Sequence, residues 1–277
     1  MRPASIPPRI HFLAARHASV VVVLARVRSK HIHVLRWNTA DDTLEPGSWF
    51  RGRIHAERCD LSFDGQWMVY FAVGADGTTA WTGICRPPWL ATFRSWEGCG
   101  TWFGGGVWVE PERLVLDADE PVPRAWWRMR ASGQDDPAAL PFALESSLYR
   151  MRDGVLAARM RRNGWTRDPH PPLVARSAAA YPFAAWSACP TRAHPRLHLS
   201  TDGTAARHRF SIDTPHVQLG ADVTWAEWDA FGFLIVARSG RLERYSLADL
   251  ERGEPSQSHD LRALAPPLQR DEPPSPR

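Results

Sequence analysis

The hydrophobic positions of this chain fall in short runs rich in Val, Ile, Trp, Phe and Tyr, separated by clusters of Gly, Asp, Pro and Ser. Runs so bounded predict β-strands. The clearest span Ser19 to Val27, His31 to Trp37, Trp67 to Val73, Arg113 to Leu116, Arg124 to Arg130, Phe233 to Arg238 and Arg241 to Leu247. No long stretch keeps the 3.6-residue period of an amphipathic helix. The pattern predicts an all-β fold. Both ends are polar and Pro-rich, MRPASIPP and APPLQRDEPPSPR, so residues 1–9 and 266–277 read as disordered tails around one domain over 10–265.

The apolar runs recur. CDLSFDGQWMVYF, residues 59–71, sets an acidic residue, an apolar pair, a Ser and an Asp-Gly turn before an apolar run. WVEPERLVL at 108–116, YRMRDGVLAARM at 149–160 and TWAEWDAFGFLIVA at 224–237 are looser copies, and RHASVVVVLA at 16–25 precedes them. The strand HIHVLRWN followed by TADDTLEPG is matched by RLERYSL followed by ADLERGEP. A hairpin, a third strand and a connecting outer strand such as GSWFRGRI, repeated about every 45 residues, are the marks of a β-propeller blade. The long last interval implies an insertion, for which the Pro- and Ala-rich segment 167–195 is suited. Five four-stranded blades are expected, with six as the alternative because LHLSTDG at 197–203 mimics the opening motif.

DLSFDGQWMVYF resembles the Ser-Pro-Asp-Gly repeat of WD-like and Tol-type bacterial β-propellers, in which Ser and Asp-Gly close the hairpin between the two innermost strands. Phe63 stands where that motif has Pro, and the later copies lose the Ser and often the Gly. LRWNTADDTLEPGSWFRGRI also resembles a group of uncharacterised bacterial proteins, a resemblance that implies no activity.

Composition changes this picture little. The chain has 277 residues, is 44% hydrophobic and 23% charged, and can bury a sizeable core. The net charge of +4 raises nucleic acid as a partner. Lys30 is the single lysine, however, so the excess of Arg reflects a GC-rich codon bias, and the Arg residues are scattered. The densest group, Arg159, Arg161 and Arg162, reads as solvated surface. Nucleic acid is therefore not expected as a partner. Cys59, Cys85, Cys99 and Cys189 lack CxxC spacing and read as free thiols of a reducing compartment. VVVVLA at 20–25 is too short to span a bilayer and is followed by Arg26 and Arg28 rather than a cleavage site. A cytoplasmic protein without membrane contact is expected.

Candidate chemistry is sparse. Most of the fourteen Trp residues lie in strand segments and read as core, with Trp89 and Trp102 in loops as ligand candidates. GCGTWFGGG at 98–106 has Phe103 where a phosphate loop needs Gly, and a strand follows it, so it reads as a flexible loop. His31 and His33 share a strand face, but no third metal ligand is identifiable. Asp64, Asp153 and Asp229 read as turn residues, and GxSxG is absent. No metal and no cofactor is expected.

The loops entering the inner strands bring Glu57, Arg58, Asp60, Trp102, Asp222, Trp225 and Glu227 to one face as the candidate ligand or partner site. The expected role is a binding or scaffolding module for a protein or a small polar ligand. The competing expectation is a propeller-type hydrolase of glycans or peptides that uses paired axial carboxylates. Catalytic residues and oligomeric state are not assigned by the sequence.

Overall fold

The computed structural model describes residues 6–97, 103–117, 140–147, 154–168, 184–202 and 207–267. Trp102, the expected strand Arg124 to Arg130, Cys99 and most of both expected tails lie outside them. The chain is mostly β, as its pattern predicts, and the described strands form four sheets, none closed into a barrel.

The first sheet holds β1 (Arg9–Ala14), β2 (Val20–Arg28), β3 (His31–Asn38), β4 (Thr43–Ile54), β5 (Asp60–Leu61), β6 (Met68–Gly74), β7 (Ala80–Cys85) and β8 (Thr92–Glu97). Its order is β1-β2-β3-β4-β6-β7-β8, and β5 pairs with the start of β6. The long β4 joins two parts, because its body pairs with β3 while Gly52 to Ile54 pair with the end of β6. Two expected blades are thus one continuous sheet. The second sheet is β9 (Gly106–Glu110), β10 (Arg113–Asp117) and β11 (Ala143–Ser147), with β11 parallel to β10.

Helix α1 (Gly154–Arg162) follows. The third sheet is β12 (Thr166–Arg167), β13 (Ala184–Ala188), β14 (Leu197–Asp202) and β15 (Arg207–Ile212). The fourth is β16 (Val223–Trp228), β17 (Leu234–Arg238), β18 (Arg241–Tyr245) and, after the short α2 (Leu247–Arg252), β19 (Gln257–Asp260).

Three expectations are corrected. YRMRDGVLAARM is not a hairpin copy: Gly154 to Arg162 is helical, and Asp153 lies outside the described residues. Ala157 and Met160, three apart, are buried on one side of it in a core shared with the third and fourth sheets, and Val155 is buried on the other. Gly164, at φ 85°, ends it in a left-handed turn in which Gly164 N–H donates to Arg161 O and Trp165 N–H to Met160 O. The segment 167–195 is not wholly irregular, since β13 lies within it. LHLSTDG does not open a sheet beyond these four, because its residues Leu197–Asp202 form β14 between β13 and β15 of the third sheet.

Why VVVVLA is an unbroken apolar run is now plain: both faces of β1 to β3 are covered. Val21, Val23 and Ala25 share one core with Phe12, Trp37 and residues of the third and fourth sheets. Val20, Val22 and Leu24 share another with Leu61, Met68 and Tyr70. A strand buried on both sides loses the polar alternation of a half-solvated one. Beyond β6 a third core joins Trp67, Val69 and Ile84 to Trp108, Leu114 and Leu116. Between the sheets, β1 packs on β16 and β17, β15 on β16, and β5 on both β1 and β9.

The opening motif is turn chemistry. Asp64 Oδ1 accepts from Ser62 Oγ at 2.5 Å and from Gln66 N–H at 3.0 Å, and Ser62 Oγ accepts from Trp67 N–H at 2.9 Å. Gly65, at φ 73°, takes the left-handed position between β5 and β6, where an added Cβ would lie 2.8 Å from Val20 Cβ. No described helix is long and apolar enough to cross a membrane.

Candidate functional site

Strands β1, β5, β9 and β16 all meet α1. On a helix, residues three and four apart share a face, so Val155, Arg159 and Arg162 fall on one stripe, and that stripe is turned inward. Arg162 forms a two-pronged pair with Asp60 of β5. Its Nη1 donates to Oδ2 at 2.5 Å and its Nη2 to Oδ1 at 2.9 Å, while Trp108 N–H of β9 donates to Oδ2 at 2.8 Å. Nη1 also donates to Trp108 O at 2.8 Å, and the guanidinium lies 5.2 Å above the Phe63 ring. The side chain of Asp60 is 1% exposed and that of Arg162 10%. An ion pair this dry persists only when its remaining donors and acceptors are satisfied.

Arg159 is 2% exposed and, among the described residues, makes no ion pair. It donates to the carbonyls of Ala56 and Cys59, the former at 3.1 Å, and its Nη2 meets His11 Nε2 of β1 at 3.1 Å. Guanidinium only donates, so His11 Nε2 accepts and the imidazole is neutral with its proton on Nδ1. Burial, then the neighbouring charge of Arg159, then His208, hold His11 well below its ordinary 6.5. The His11 ring lies 4.1 Å from that of Trp225. Asn163, just past α1, donates to Glu227 Oε1 at 2.5 Å, and Trp225 Nε1–H donates to Glu227 Oε2 at 3.2 Å.

The seven candidate residues therefore divide. Asp60, Trp225 and Glu227 do come together, but beneath α1 rather than on an open face; they are 1%, 1% and 3% exposed. Glu57, in the 3-10 turn Ala56–Arg58, is exposed and bonded to His208 Nε2 at 2.9 Å. Burial opposes its charge, but the His208 hydrogen bond and the charges of His208 and Arg159 prevail and leave its carboxyl below the ordinary value. Arg58 lies 5.0 Å over the Phe71 ring. Asp222 is exposed and apart, accepting from Ser239 Oγ at 2.8 Å beside the β17 to β18 turn. The expectation of one solvent-facing set is thus corrected.

The basic cluster Arg159, Arg161 and Arg162 is not wholly solvated surface, because two of the three enter the interior. Its spacing of three held the clue. The described part of the glycine-rich segment is no loose loop either. Gly105, at φ 90°, donates to Thr82 Oγ1 at 2.8 Å, and a Cβ there would come 2.0 Å from Arg58 O. His33 is 5% exposed and stacked on Trp49 at 4.3 Å. Among the described residues no three His, Cys, Asp or Glu side chains are grouped to hold a metal. Trp89 stands 54% exposed.

Beside the end of α1 lies a cavity of about 420 Å³, lined by Arg16, Asn163, Gly164, the segment 188–191, His194 and the β16 to β17 turn from Trp228 to Gly232. Arg16 is half-buried, and among the described residues no hydrogen bond or ion pair engages it. A larger hollow of about 620 Å³ over β12 to β15 is lined by Arg167, Asp168 and Arg209, each already engaged, and its wall reaches Asp168 where the described residues break off.

No protein-family model and no curated protein matches this chain. Among solved structures it is similar to the uncharacterized protein lmo1340 from Listeria monocytogenes EGD-e, solved at 1.18 Å. The two are 9% identical, the match covers 94% of this chain and 96% of that one, and the TM-score is 0.34. A likeness at that level carries no argument about fold or function.

Proposed function

We propose that this chain is a cytoplasmic binding module of the propeller type, its sheets ranged about α1, and that it binds a small polar ligand rather than hydrolysing one. The circuit of contacts from β1 through β5 to β9, and from β15 through β16 back to β1, supports the ring. One observation carries the binding reading. The carboxylates that the inner strands turn to the centre are consumed by the chain itself, Asp60 by Arg162 and Glu227 by Asn163 and Trp225, while beside them a cavity keeps an unengaged Arg16. General acid and base catalysis needs carboxyl groups that reach substrate. A carboxylate locked to a buried guanidinium does not.

Two measurements on the full chain test this. A thermal-shift survey of small molecules of mixed charge should find saturable stabilisation, since a ligand that binds only the folded state raises its melting temperature. Chromogenic glycosides and peptide anilides should show no turnover above background. Turnover that disappears in Asp60→Asn or Glu227→Gln would establish the hydrolase instead.

A further inference from the structure

The cavity beside Arg16 has a chemistry that narrows its occupant. Two carboxylates lie close enough for their fields to act on Arg16, Glu227 and Asp229, while burial and Arg162 disfavour its charge. Both carboxylates are already held by other groups of the chain. Asp229 Oδ1 accepts from the N–H groups of Phe231 and Phe233 at 2.8 and 2.9 Å. Its Oδ2 accepts from Arg244 Nη2 at 3.0 Å and Nε at 3.2 Å. Each Glu227 oxygen accepts one hydrogen bond, Oε1 from Asn163 and Oε2 from Trp225. Among the described residues no acceptor engages the forked guanidinium of Arg16.

Trp228 lines the same wall without opening its donor to the cavity. Trp228 is 3% exposed, and its indole N–H is buried without an acceptor among the described residues. His194 does not compete for a ligand. Its Nε2 meets Gly232 O at 3.1 Å, and because a carbonyl only accepts, Nε2 carries the proton; Nδ1 at 2.7 Å then accepts from Thr191 Oγ1 in the neutral ring. The remaining wall is apolar or small: Gly164, Ala188, Pro190, Ala230 and Phe231. Phe231 is 52% exposed, held at the rim by the turn that Asp229 closes. A volume of about 420 Å³ suits one small molecule.

We infer that this cavity binds a small aromatic oxyanion, a carboxylate or a phosphate monoester, whose charged oxygens meet the Arg16 guanidinium and whose ring lies against Phe231 and Pro190. Planar guanidinium pairs two oxygens at once, which selects an oxyanion over a halide or a neutral hydroxyl. The inference rests on the binding-module reading and adds the ligand's chemical class.

Calorimetric titration of the full chain with sodium benzoate, phenyl phosphate and the neutral benzyl alcohol tests it. Both anions should bind saturably, at least tenfold more tightly than benzyl alcohol, and Arg16→Gln should weaken them at least tenfold while Arg16→Lys retains part of the affinity. Unsaturable binding of both anions, or an affinity unchanged in Arg16→Gln, overturns the inference. Equal binding of benzyl alcohol removes the oxyanion and leaves the binding module standing, whereas release of phenol from phenyl phosphate would sink the binding module itself. If Arg16→Gln does not fold, Cys189 on the cavity wall supplies a second readout in a Cys99→Ser chain that keeps Arg16. Saturating benzoate should slow alkylation of Cys189 by iodoacetamide several-fold, and an unchanged rate overturns the inference.

Discussion

Replacing Asp60 by Ala measures how firmly α1 is seated. Asp60 accepts three hydrogen bonds, two from Arg162 and one from Trp108 N–H, and both charged side chains are nearly dry. Removing one partner of a buried ion pair leaves the other charge uncompensated, at a cost of about 3–5 kcal/mol. Arg162 keeps the carbonyl of Trp108 at 2.8 Å and the Phe63 ring, so the lower half of that range is expected. For a domain of this size each kcal/mol shifts the melting temperature by about 2–4 °C, which predicts a fall of roughly 6–16 °C. The loss should depend on the partner. In Asp60→Leu combined with Arg162→Met the pair is replaced by apolar groups, and most of the stability should return. Urea unfolding followed by Trp fluorescence reads all the variants. A cost below about 1 kcal/mol for Asp60→Ala, or a double variant as unstable as the sum of its single ones, would refute a desolvated pair and with it the buried seat of α1.

Two further outcomes follow from the same interior. His11 is neutral in the fold and held well below 6.5, so below that pH the unfolded chain binds a proton that the folded chain refuses. Stability should be full above about pH 6.5 and fall as the pH drops, by at most about 1.4 kcal/mol per unit from this group. His11→Gln keeps an acceptor for Arg159 and should flatten that slope, leaving the share of His33 and His55, which burial also lowers; an unchanged slope in urea melts from pH 5 to 7 would show that His11 is not the group. Gly65→Ala places a methyl group 2.8 Å from Val20 Cβ at a left-handed position and should cost about 1–3 kcal/mol. A loss under about 0.5 kcal/mol would show that the turn between β5 and β6 is looser than this geometry.

How much was legible in the sequence depends on the range of the interaction that decides each feature. Strands, hairpin turns and the all-β class are set by residues near one another, such as Ser62, Asp64 and Gly65 within one turn, so a reading along the chain finds them. Asp60 is a residue of interest in the sequence because its register against Asp64 places it near the entrance of the expected inner strand. The partners of Asp60 were not found. Arg162 lies 102 residues away, and its cluster reads as solvated until the helix that carries it is recognised. That helix escaped because α1 spans only Gly154 to Arg162, too few residues to outweigh an Asp-Gly pair that looks like another hairpin. Arg16 carries no local signal, since its interest lies in what the carboxylates around it already hold.

The sequence by itself determined the strands, the turns that join them and the depth of the core, because alternation, β-branched runs and Asp-Gly pairs act over a few residues. Only the tertiary structure decided that the carboxylates of β5 and β16 face the chain's own α1 rather than solvent, and that Arg16 meets no acceptor among the described residues. Those facts arise where segments distant in the chain compete for the same hydrogen bonds, and desolvation fixes the winner after every element has packed.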